Sequence, residues 1–483
     1  MGLSSRVHSW LLLLFGVAIL GLSPGAAQAD SKRCGDSLRK AYCDQLHCEA
    51  ASSPAKACQV LNDIHRARAG FSILCDDRTV RLLGAFDESE AEVLNQELAL
   101  FTEQTGIPVH VEGVNVEEEA DKLIACGADG LFVPQAGLIK DLAAQGQLVD
   151  LSTFVNMEEV EADFSETLRE TLTFDGGLYG MWTFLHPKSL IWYPVEAFEA
   201  KGYQVPTSWD ELLDLSDQIV ADGGRPWCMY FESGDATGWL LTDWIEDIVL
   251  RLPNGPEIYD RWTSHEVLFS DPPIREAFDH LGEILFTADY VFDPEHIATI
   301  PFVCAFFPMF GLPPDLFGEA CLDVPVVANP PGCWLHRQGD FARFFTAESN
   351  VGVFSFPPFD PNLPHVEMGN GLAAVLTRDT PEGRAVFNYL LSRNFGEVVA
   401  ANGGVLANRN VPAEWYQQSG AVSYAEQIRS ALRSDGFRFD ASDLMPFEVG
   451  AGSFWYYATQ FALGASTDEV TAAIDASWPE AQP

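Results

Sequence analysis

The stretch that decides the fold of this chain runs from Leu178 to Arg251 and reads LYGMWTFLHPKSLIWYPVEAFEAKGYQVPTSWDELLDLSDQIVADGGRPWCMYFESGDATGWLLTDWIEDIVLR. Its first part, Tyr179 to Tyr193, is an apolar and aromatic run with the β-rich composition of a buried strand. The segment from Pro206 to Leu213 then offers N-cap oxygens and an apolar helical face, which predict a helix start. A loop with glycine and tryptophan, Glu232 to Thr242, precedes a helix predicted from Asp243 to Leu250.

Several blocks of this stretch occur together in a known family. Within it stand YG, KSLIWYP, GYQVPTSWDEL and ESGDATGWLLTDWIED, in that order. Further blocks lie outside it: PQAGLIKDLAAQGQLVDL (Pro134 to Leu151), PPGCWLHRQGDF (Pro330 to Phe341), and FRFDASDLMPFEVGAGSFWYYATQF with a final IDASWP (Phe437 to Pro479). Over roughly residues 78–479 the chain resembles the solute-binding proteins of ABC sugar importers, in the maltose-binding-protein-like group, and most of all the α-glucoside binders.

The resemblance implies an α/β architecture, the two-lobed periplasmic-binding-protein type II fold. Each lobe is then a sheet flanked by helices, with a ligand cleft between the lobes. The expected organisation is a signal peptide over residues 1–29, a cysteine-rich N-terminal extension over 30–77, an N-terminal lobe from 78–184 plus 370–412, and a C-terminal lobe from 185–369 plus 413–480. The pattern of strand Val80 to Leu83, helix Ser89 to Thr105 and strand Pro108 to Val111 independently predicts a β-α-β unit with parallel strands.

The first residues read as an export signal. Arg6 supplies a positive start, Trp10 to Leu22 an apolar core, and Ala27 to Ala29 a small-x-small cleavage site. The apolar core is short for a membrane span, and no cysteine follows it directly, so a lipid anchor is not indicated. We therefore expect a soluble protein exported to the periplasm.

The charge balance excludes two classes of partner. The chain carries a formal net charge of −42, which repels nucleic acid and anionic lipid. An acidic surface suits salty water, whereas a calcium-rich protein would show a D-x-D-x-D-G loop, and none is present. We expect no metal and no cofactor.

The cysteine count predicts disulfides. An exported chain with 10 cysteines normally forms disulfides. A metal site near His47 and His65 is the alternative, but no C-x-x-C pair supports it. Cys126 can pair with the cluster in the extension, and the four remaining cysteines can then pair among themselves, with the connectivity open. The cluster is Cys34, Cys43, Cys48, Cys58 and Cys75, and the remaining four are Cys228, Cys304, Cys321 and Cys333.

Candidate ligand contacts follow from strand ends and from the resemblance. Asp87 follows the first strand, where ligands of open α/β sheets bind, although a helix N-cap is the alternative. The resemblance places Gln135 and Trp182 at the cleft, while a tryptophan on a buried strand is often a core residue. It also implies a glycine cluster with a nearby carboxylate at Gly369 and Asn370. Here the carboxylate is absent, so Asn370 replaces it as a polar contact or the ligand differs.

The loop from Glu232 to Trp239 carries the strongest candidates. Glycines allow the backbone to approach a ligand, and Trp239 can present its face to a sugar ring. Carboxylates such as Glu232 and Asp243 can accept hydrogen bonds from paired hydroxyl groups. The alternatives are a packing tryptophan and, for Asp243, a helix cap.

No catalytic motif supports an enzyme. The chain has no G-x-S-x-G elbow and no P-loop, and His265-Glu266 lacks the second histidine of a zincin. We predict a binding protein without catalysis, a monomer that captures an α-glucoside or oligosaccharide and delivers it to ABC permease subunits. The alternatives are a binder of another polyol or solute, a sensor subunit, and an exported glycoside hydrolase with Glu232 and Asp243 as the pair to test.

Overall fold

The computed structural model describes residues 79–479, apart from 85, 87, 115–119, 121–122, 125–126, 314, 316–318, 343–350, 419–421 and 435. The predicted signal peptide, the cysteine-rich extension, Asp87 and Cys126 lie outside the described residues. Within the described part of the chain, no helix is both long enough and apolar enough to cross a membrane.

The chain folds into two compact units. Unit 1 comprises the described parts of residues 1–184 and 371–419, and unit 2 those of residues 185–370 and 420–483. The chain therefore changes unit after Phe184, Asn370 and Ser419, whereas the sequence placed these changes after residues 184, 369 and 412.

The strands are short except for β10. In chain order they are β1 (Val80–Gly84), β2 (Val109–Gly113), β3 (Gly130–Val133), β4 (Thr173–Phe174), β5 (Gly177–Leu178), β6 (Met181–Pro187), β7 (Leu190–Pro194), β8 (His336–Arg337), β9 (Val351–Ser355), β10 (Glu367–Leu376), β11 (Val405–Leu406) and β12 (Phe437–Phe439).

Helices lie between many of the strands and follow the last one. They are α1 (Glu88–Thr105), α2 (Ala136–Ala144), α3 (Met157–Asp163), α4 (Glu166–Glu170), α5 (Val195–Lys201), α6 (Trp209–Ala221), α7 (Trp239–Arg251), α8 (Gly255–Thr263), α9 (Pro272–Leu285), α10 (Phe306–Phe310), α11 (Pro381–Leu390), α12 (Glu397–Ala401), α13 (Val422–Arg433), α14 (Ala441–Leu444), α15 (Trp455–Ala462) and α16 (Thr467–Ser477). A π-helical turn, Glu448–Phe454, leads into α15.

Unit 1 is built on one mixed sheet. Its strands lie in the order β11-β6-β10-β3-β1-β2. β1 pairs in parallel with β2, Val80 opposite Val109, and with β3, while β10 runs antiparallel to β3. The predicted β-α-β unit with parallel strands is therefore confirmed. Asn95 of α1 fixes this helix to β2, because its amide both donates to and accepts from the backbone of Val111.

Unit 2 contains a smaller antiparallel sheet and most of the long helices. The sheet has the order β8-β7-β9, and β12 pairs in parallel with the first residues of β10. Disulfides join Cys228 to Cys333 and Cys304 to Cys321. The prediction that these four cysteines pair among themselves is thus confirmed, and the structure selects one of the open pairings.

Two predicted elements have different bounds. The single strand predicted from Tyr179 to Tyr193 is two strands, β6 and β7, separated at Lys188 and Ser189. The chain turns there because the Lys188 N–H donates to the Met368 carbonyl of β10, while Leu190 bonds back to Lys188. The helix predicted to begin at Asp243 begins at Trp239, with Gly238 as its N-cap, so Asp243 does not cap a helix.

Candidate ligand-binding site

The candidate site of unit 2 is built on α7, a helix with charged residues on a buried face. Asp243, Glu246, Asp247 and Arg251 follow one another at helical spacing. Every residue from Leu240 to Arg251 is buried. A buried charge is stable only when a partner compensates it, so each of these groups must find a hydrogen-bonding partner inside unit 2.

Lys188 is the partner from the β6–β7 junction. Its Nζ donates to Asp243 Oδ1 at 3.1 Å and also to Asp440 Oδ2, and the side chain is only 11% exposed. Burial alone would lower the pKa of Lys188, but the carboxylates of Asp243 and Asp440 outweigh it and raise the pKa. The amine is therefore permanently charged, and it lies 5.3 Å from the centroid of the Trp239 ring.

Two arginines hold the other carboxylate oxygens. Arg337 of β8, which is fully buried, donates from Nη1 to Asp243 Oδ2 at 2.8 Å. It also donates to Asp247 Oδ2 from Nε at 3.0 Å and from Nη2 at 2.6 Å. Arg251 donates to Asp247 Oδ1 at 2.8 Å. A two-pronged contact of this kind fixes the orientation of both partners, so α7 and β8 are locked together.

The pKa values of Glu246 and Asp440 are shifted in opposite directions. Burial and the neighbouring Asp440 and Asp243 raise the pKa of Glu246 well above its usual range. Burial would also raise the pKa of Asp440, but Lys188 and Ser442 lower it to about 2. Burial raises the pKa of Asp243 to about 6, although Lys188 and Arg337 act to lower it. Three aspartates (Asp243, Asp247 and Asp440) therefore contact three basic side chains (Lys188, Arg251 and Arg337).

Among the described residues, three of these acids are arranged closely enough to act as ligands of a metal ion. Oxygens of Asp243, Glu246 and Asp440 lie within 4.8 Å of one another, close enough to share a cation. Lys188 already donates to two of these three carboxylates. The cation of this centre is thus a side chain, which occupies the oxygens that a metal ion would need.

Trp239 is held by its loop as well as by Lys188. Its indole N–H donates to Ser233 Oγ at 3.2 Å, and its ring meets Phe302 edge to face at 5.3 Å. Gly238 has φ +121°, and a Cβ there would lie 2.2 Å from the Trp455 carbonyl oxygen. Glycine is therefore required at this position, both for the backbone conformation and for the close approach of α15. The half-buried Trp239 ring has a fixed position.

The structure brings three of the predicted contacts together in unit 2. Trp239 and Asp243 both touch Lys188, and Gly369 accepts a hydrogen bond from the N–H of Asp440 at 2.8 Å. Asn370 follows Gly369 on β10 and is half-buried. Glu232 is half-buried too, but its carboxylate accepts the Gly234 N–H at 2.7 Å and so stabilises its own loop.

The other predicted contacts belong to unit 1 or lie outside the described residues. Gln135 is the residue before α2, and its side chain makes no capping bond to that helix. Trp182 is fully buried, and its indole N–H donates to Thr171 Oγ1 at 2.8 Å. The interpretation of Trp182 as a ligand-facing residue is therefore corrected: it is a core residue whose polar atom is satisfied by protein. Asp87 lies outside the described residues.

The role expected of Asp243 also changes. We expected its carboxylate to accept hydrogen bonds from ligand hydroxyl groups. Its side chain is 1% exposed, and its two oxygens accept from Lys188 and Arg337. Asp243 is therefore a positioning residue for the Lys188 ammonium.

Lys188, Arg337 and Asp440 are not among the ligand contacts predicted from the sequence. A signal for them exists in the sequence. Lys188 interrupts an apolar and aromatic run, and the segment TDWIEDIVLR places three acids among apolar residues. Acidic side chains on a buried helix face need basic side chains buried beside them, although the sequence does not identify which lysines or arginines these are.

Comparison with known proteins identifies relatives over most of this chain. The family model described as bacterial extracellular solute-binding protein matches residues 87–259. An osmoprotective compounds-binding protein, GgtB, of Synechocystis is 34% identical, over 84% of this chain and 93% of its own. The α-glucosides-binding periplasmic protein AglE of Rhizobium meliloti is 31% identical, over 83% and 87%.

A solved structure shares the fold. The bacterial solute receptor AcbH, described as having an exclusive preference for β-D-galactopyranose, superimposes with a TM-score of 0.63 at 17% identity, over 83% of this chain and 95% of that one. This likeness concerns the fold alone. The relatives above 30% identity extend over most of both chains, and the chain belongs to the bacterial extracellular solute-binding proteins.

Proposed function

We propose that this protein is the substrate-binding component of an ABC transporter and that it captures a sugar, an α-glucoside or an oligosaccharide, for delivery to a membrane permease. The observation that carries the proposal is the Trp239 ring, half-buried and held by Lys188 and Ser233. Aromatic faces bind the apolar C–H patches of sugar rings. A ring that is held in place before binding loses little conformational entropy when the ligand arrives.

The electrostatics favour a neutral ligand. The charges around Lys188 balance within the protein, so no ligand charge is needed to complete them. The chain as a whole has a net charge of −42, which disfavours anionic solutes. A polyhydroxylated neutral molecule meets both conditions. Its proposed contacts in unit 2 are Glu232, Trp239, Gly369 and Asn370, while Asp87 and Gln135 remain predictions.

A second ligand class is supported by a specific relative. The Synechocystis protein, at 34% identity, is named for binding osmoprotective compounds, and the Rhizobium meliloti protein is named for binding α-glucosides. The family resemblance leads us to expect a carboxylate where this chain has Asn370, and its replacement by an amide is consistent with a ligand other than an α-glucoside. Small osmoprotective polyols are therefore the second candidate. In either case we propose a monomer that acts in the periplasm and does not convert its ligand.

A thermal-shift screen of the mature protein, followed by calorimetric titration, tests this proposal. Ligands that bind only the native state raise the melting temperature by mass action. We expect a saturable rise with one class among α-glucosides, oligosaccharides and polyols, and none with amino acids. Trp239→Ala should weaken the affinity about tenfold or more, since a buried aromatic contact is commonly worth over 1 kcal/mol.

Trp478→Ala is the matched control. Trp478 is also half-buried in unit 2, but its ring stacks on His265 at 4.2 Å instead of meeting a lysine. The affinity should remain unchanged in this variant. A flat screen with all sugars and polyols, or equal losses in both tryptophan variants, would contradict the proposal. Chromatography of the ligand after incubation checks the absence of turnover, and any product would favour the hydrolase alternative.

A further inference from the structure

A cavity of unit 2 shares no residue with the Lys188–Trp239 centre, which consists of Lys188, Trp239, Asp243, Arg337 and Asp440. It has a volume of about 400 Å³ and lies where the end of α5, the end of α6 and the segment before β8 meet. The lining residues that matter here are Lys201, Tyr203, Asp222, Gly224, Asn329 and Trp334. We call it the Trp334 groove.

The indole of Trp334 forms the inner wall of this groove. Its ring packs edge to face on Tyr203 with centroids 5.0 Å apart, and the side chain is 5% exposed. Within the described part of the chain, no hydrogen bond engages its N–H. A Cβ at position 224 would lie 2.8 Å from Nε1, so any other residue would cover this nitrogen. Gly224 does not have a left-handed φ, and its backbone therefore does not require glycine.

Two charged side chains also line this groove. Asp222 accepts the hydroxyl of Tyr203 at 2.8 Å, and Lys201 Nζ lies 3.6 Å from Asp222 Oδ2. Both charged side chains are about two-fifths exposed, Lys201 at 45% and Asp222 at 41%, so they remain open to a ligand. The pair offers a carboxylate acceptor beside an ammonium donor. The opposite charges of Asp222 and Lys201 compensate each other, so the pair favours neither an anion nor a cation.

We propose that the Trp334 groove is a second ligand site, for a neutral saccharide of one or two rings. Adjacent hydroxyl groups of a sugar can donate to Asp222 while they accept from Lys201 and from the Trp334 N–H. Such charge-assisted bonds are stronger than bonds between neutral groups. Pro330 and Pro331 supply an apolar wall, and the volume falls at the lower end of the roughly 300–1,000 Å³ range of small-molecule sites. This proposal does not depend on which solute occupies the Lys188–Trp239 centre.

Fluorine NMR of the protein labelled with 5-fluorotryptophan separates the two sites. The chain has 12 tryptophans, and the resonances of Trp334 and Trp239 are assigned by their loss in Trp334→Phe and Trp239→Phe. The probes are methyl α-D-glucopyranoside and maltose. We expect the Trp334 resonance to shift saturably with at least one probe, with a midpoint that differs from that of Trp239. The shift should persist in Trp239→Ala.

Surface variants test the groove without threatening the fold. Lys201→Ala removes a side chain that is nearly half exposed, and Asp222→Asn removes the charge of a side chain that is 41% exposed while keeping its shape. Each should raise the dissociation constant read from Trp334 about tenfold, which corresponds to one lost hydrogen bond, and leave the Trp239 titration unchanged. Arg261→Ala, whose side chain is 50% exposed elsewhere in unit 2, is the control and should alter neither titration.

Three outcomes would overturn the proposal. The first is a Trp334 resonance that responds to no probe. The second is a Trp334 response that vanishes in Trp239→Ala, because that response would report binding at the first site. Insensitivity of the Trp334 titration to both groove variants would also overturn it. A saturable Trp334 response together with a Trp239 resonance that no probe shifts would instead contradict the proposed function and leave the groove proposal standing.

Discussion

At the scale of single residues, Lys188 is the side chain on which unit 2 depends most. It stands between β6 and β7, bonds to Asp243 of α7, and bonds to Asp440, which follows β12. One ammonium therefore links three stretches that are distant in sequence. Removal of one partner from a buried ion pair leaves an uncompensated charge, which is far more destabilising than the loss of a surface pair.

We predict that Lys188→Met lowers the free energy of unfolding by about 3–5 kcal/mol, because Asp243 and Asp440 lose their shared cation. Urea unfolding measures the change through its midpoint and slope. Arg261→Ala, which removes the exposed pair with Glu266, should change it by less than about 1 kcal/mol.

A second variant separates charge from packing at this position. In Lys188→Met with Asp440→Asn one of the unpaired charges is gone, so part of the lost stability should return. Equal urea midpoints for Lys188→Met and Arg261→Ala would show that the buried Lys188 ammonium contributes no more to stability than the exposed Arg261 guanidinium.

At the scale of elements, the join between the 232–238 loop and α7 decides where the candidate site begins. Gly238 ends the loop with φ +121° and lies against the backbone of Trp455, the first residue of α15. The helix consequently starts at Trp239, four residues before the predicted start. The earlier start places the Trp239 ring beside Lys188 and moves Asp243 from a helix end into the buried interior.

We predict that Gly238→Ala destabilises the protein by at least about 2 kcal/mol more than Gly464→Ala. Both glycines have a positive φ, so both variants carry backbone strain of about 1–3 kcal/mol. Only at Gly238 would the new Cβ meet backbone, 2.2 Å from the Trp455 oxygen, whereas nothing lies within 4 Å at Gly464.

Calorimetric melting of both variants measures this difference. The displaced loop should also carry Trp239 away from Lys188, so Gly238→Ala should bind the ligand found by the thermal-shift screen more weakly than Gly464→Ala does. Similar melting temperatures and affinities in the two variants would show that the loop adapts without loss.

At the scale of the whole molecule, the dominant feature is the acidic excess. The chain carries 70 acidic against 28 basic residues, and three of the basic side chains (Lys188, Arg251 and Arg337) are used inside unit 2. The net charge of −42 therefore acts through a surface that is poor in cations, and self-repulsion of this kind destabilises the compact state.

We predict that the melting temperature rises with sodium chloride, because the screening length shortens from about 30 Å at 0.01 M to about 10 Å at 0.1 M and about 3 Å at 1 M. Scanning calorimetry over this series measures the rise. Potassium chloride at equal ionic strength should act alike, since screening does not depend on the identity of the cation. A melting temperature that stays constant or falls would contradict this prediction, and a rise with sodium alone would indicate a bound sodium ion in place of screening.

The sequence alone determined the family, the two-lobed α/β fold and the first β-α-β unit of this protein. The family and the two-lobed fold followed from the resemblance of ordered sequence blocks to a known family, and the β-α-β unit followed from hydrophobic patterns of residues that are close together in the chain. It also indicated that four cysteines pair among themselves and that the loop before α7 carries a tryptophan of interest. These features are local, or they are carried by blocks that the family shares.

Only the tertiary structure decided which residues form the centre of unit 2. Lys188, Asp243, Arg337 and Asp440 are separated by up to 252 positions, and no local pattern tells which buried acid meets which cation. The fold likewise placed Trp182 in a core and buried Asp243 between two cations, although both read as ligand contacts in sequence. Burial and pairing are set by elements that meet in space, and they determine whether a polar side chain serves the ligand or the protein itself.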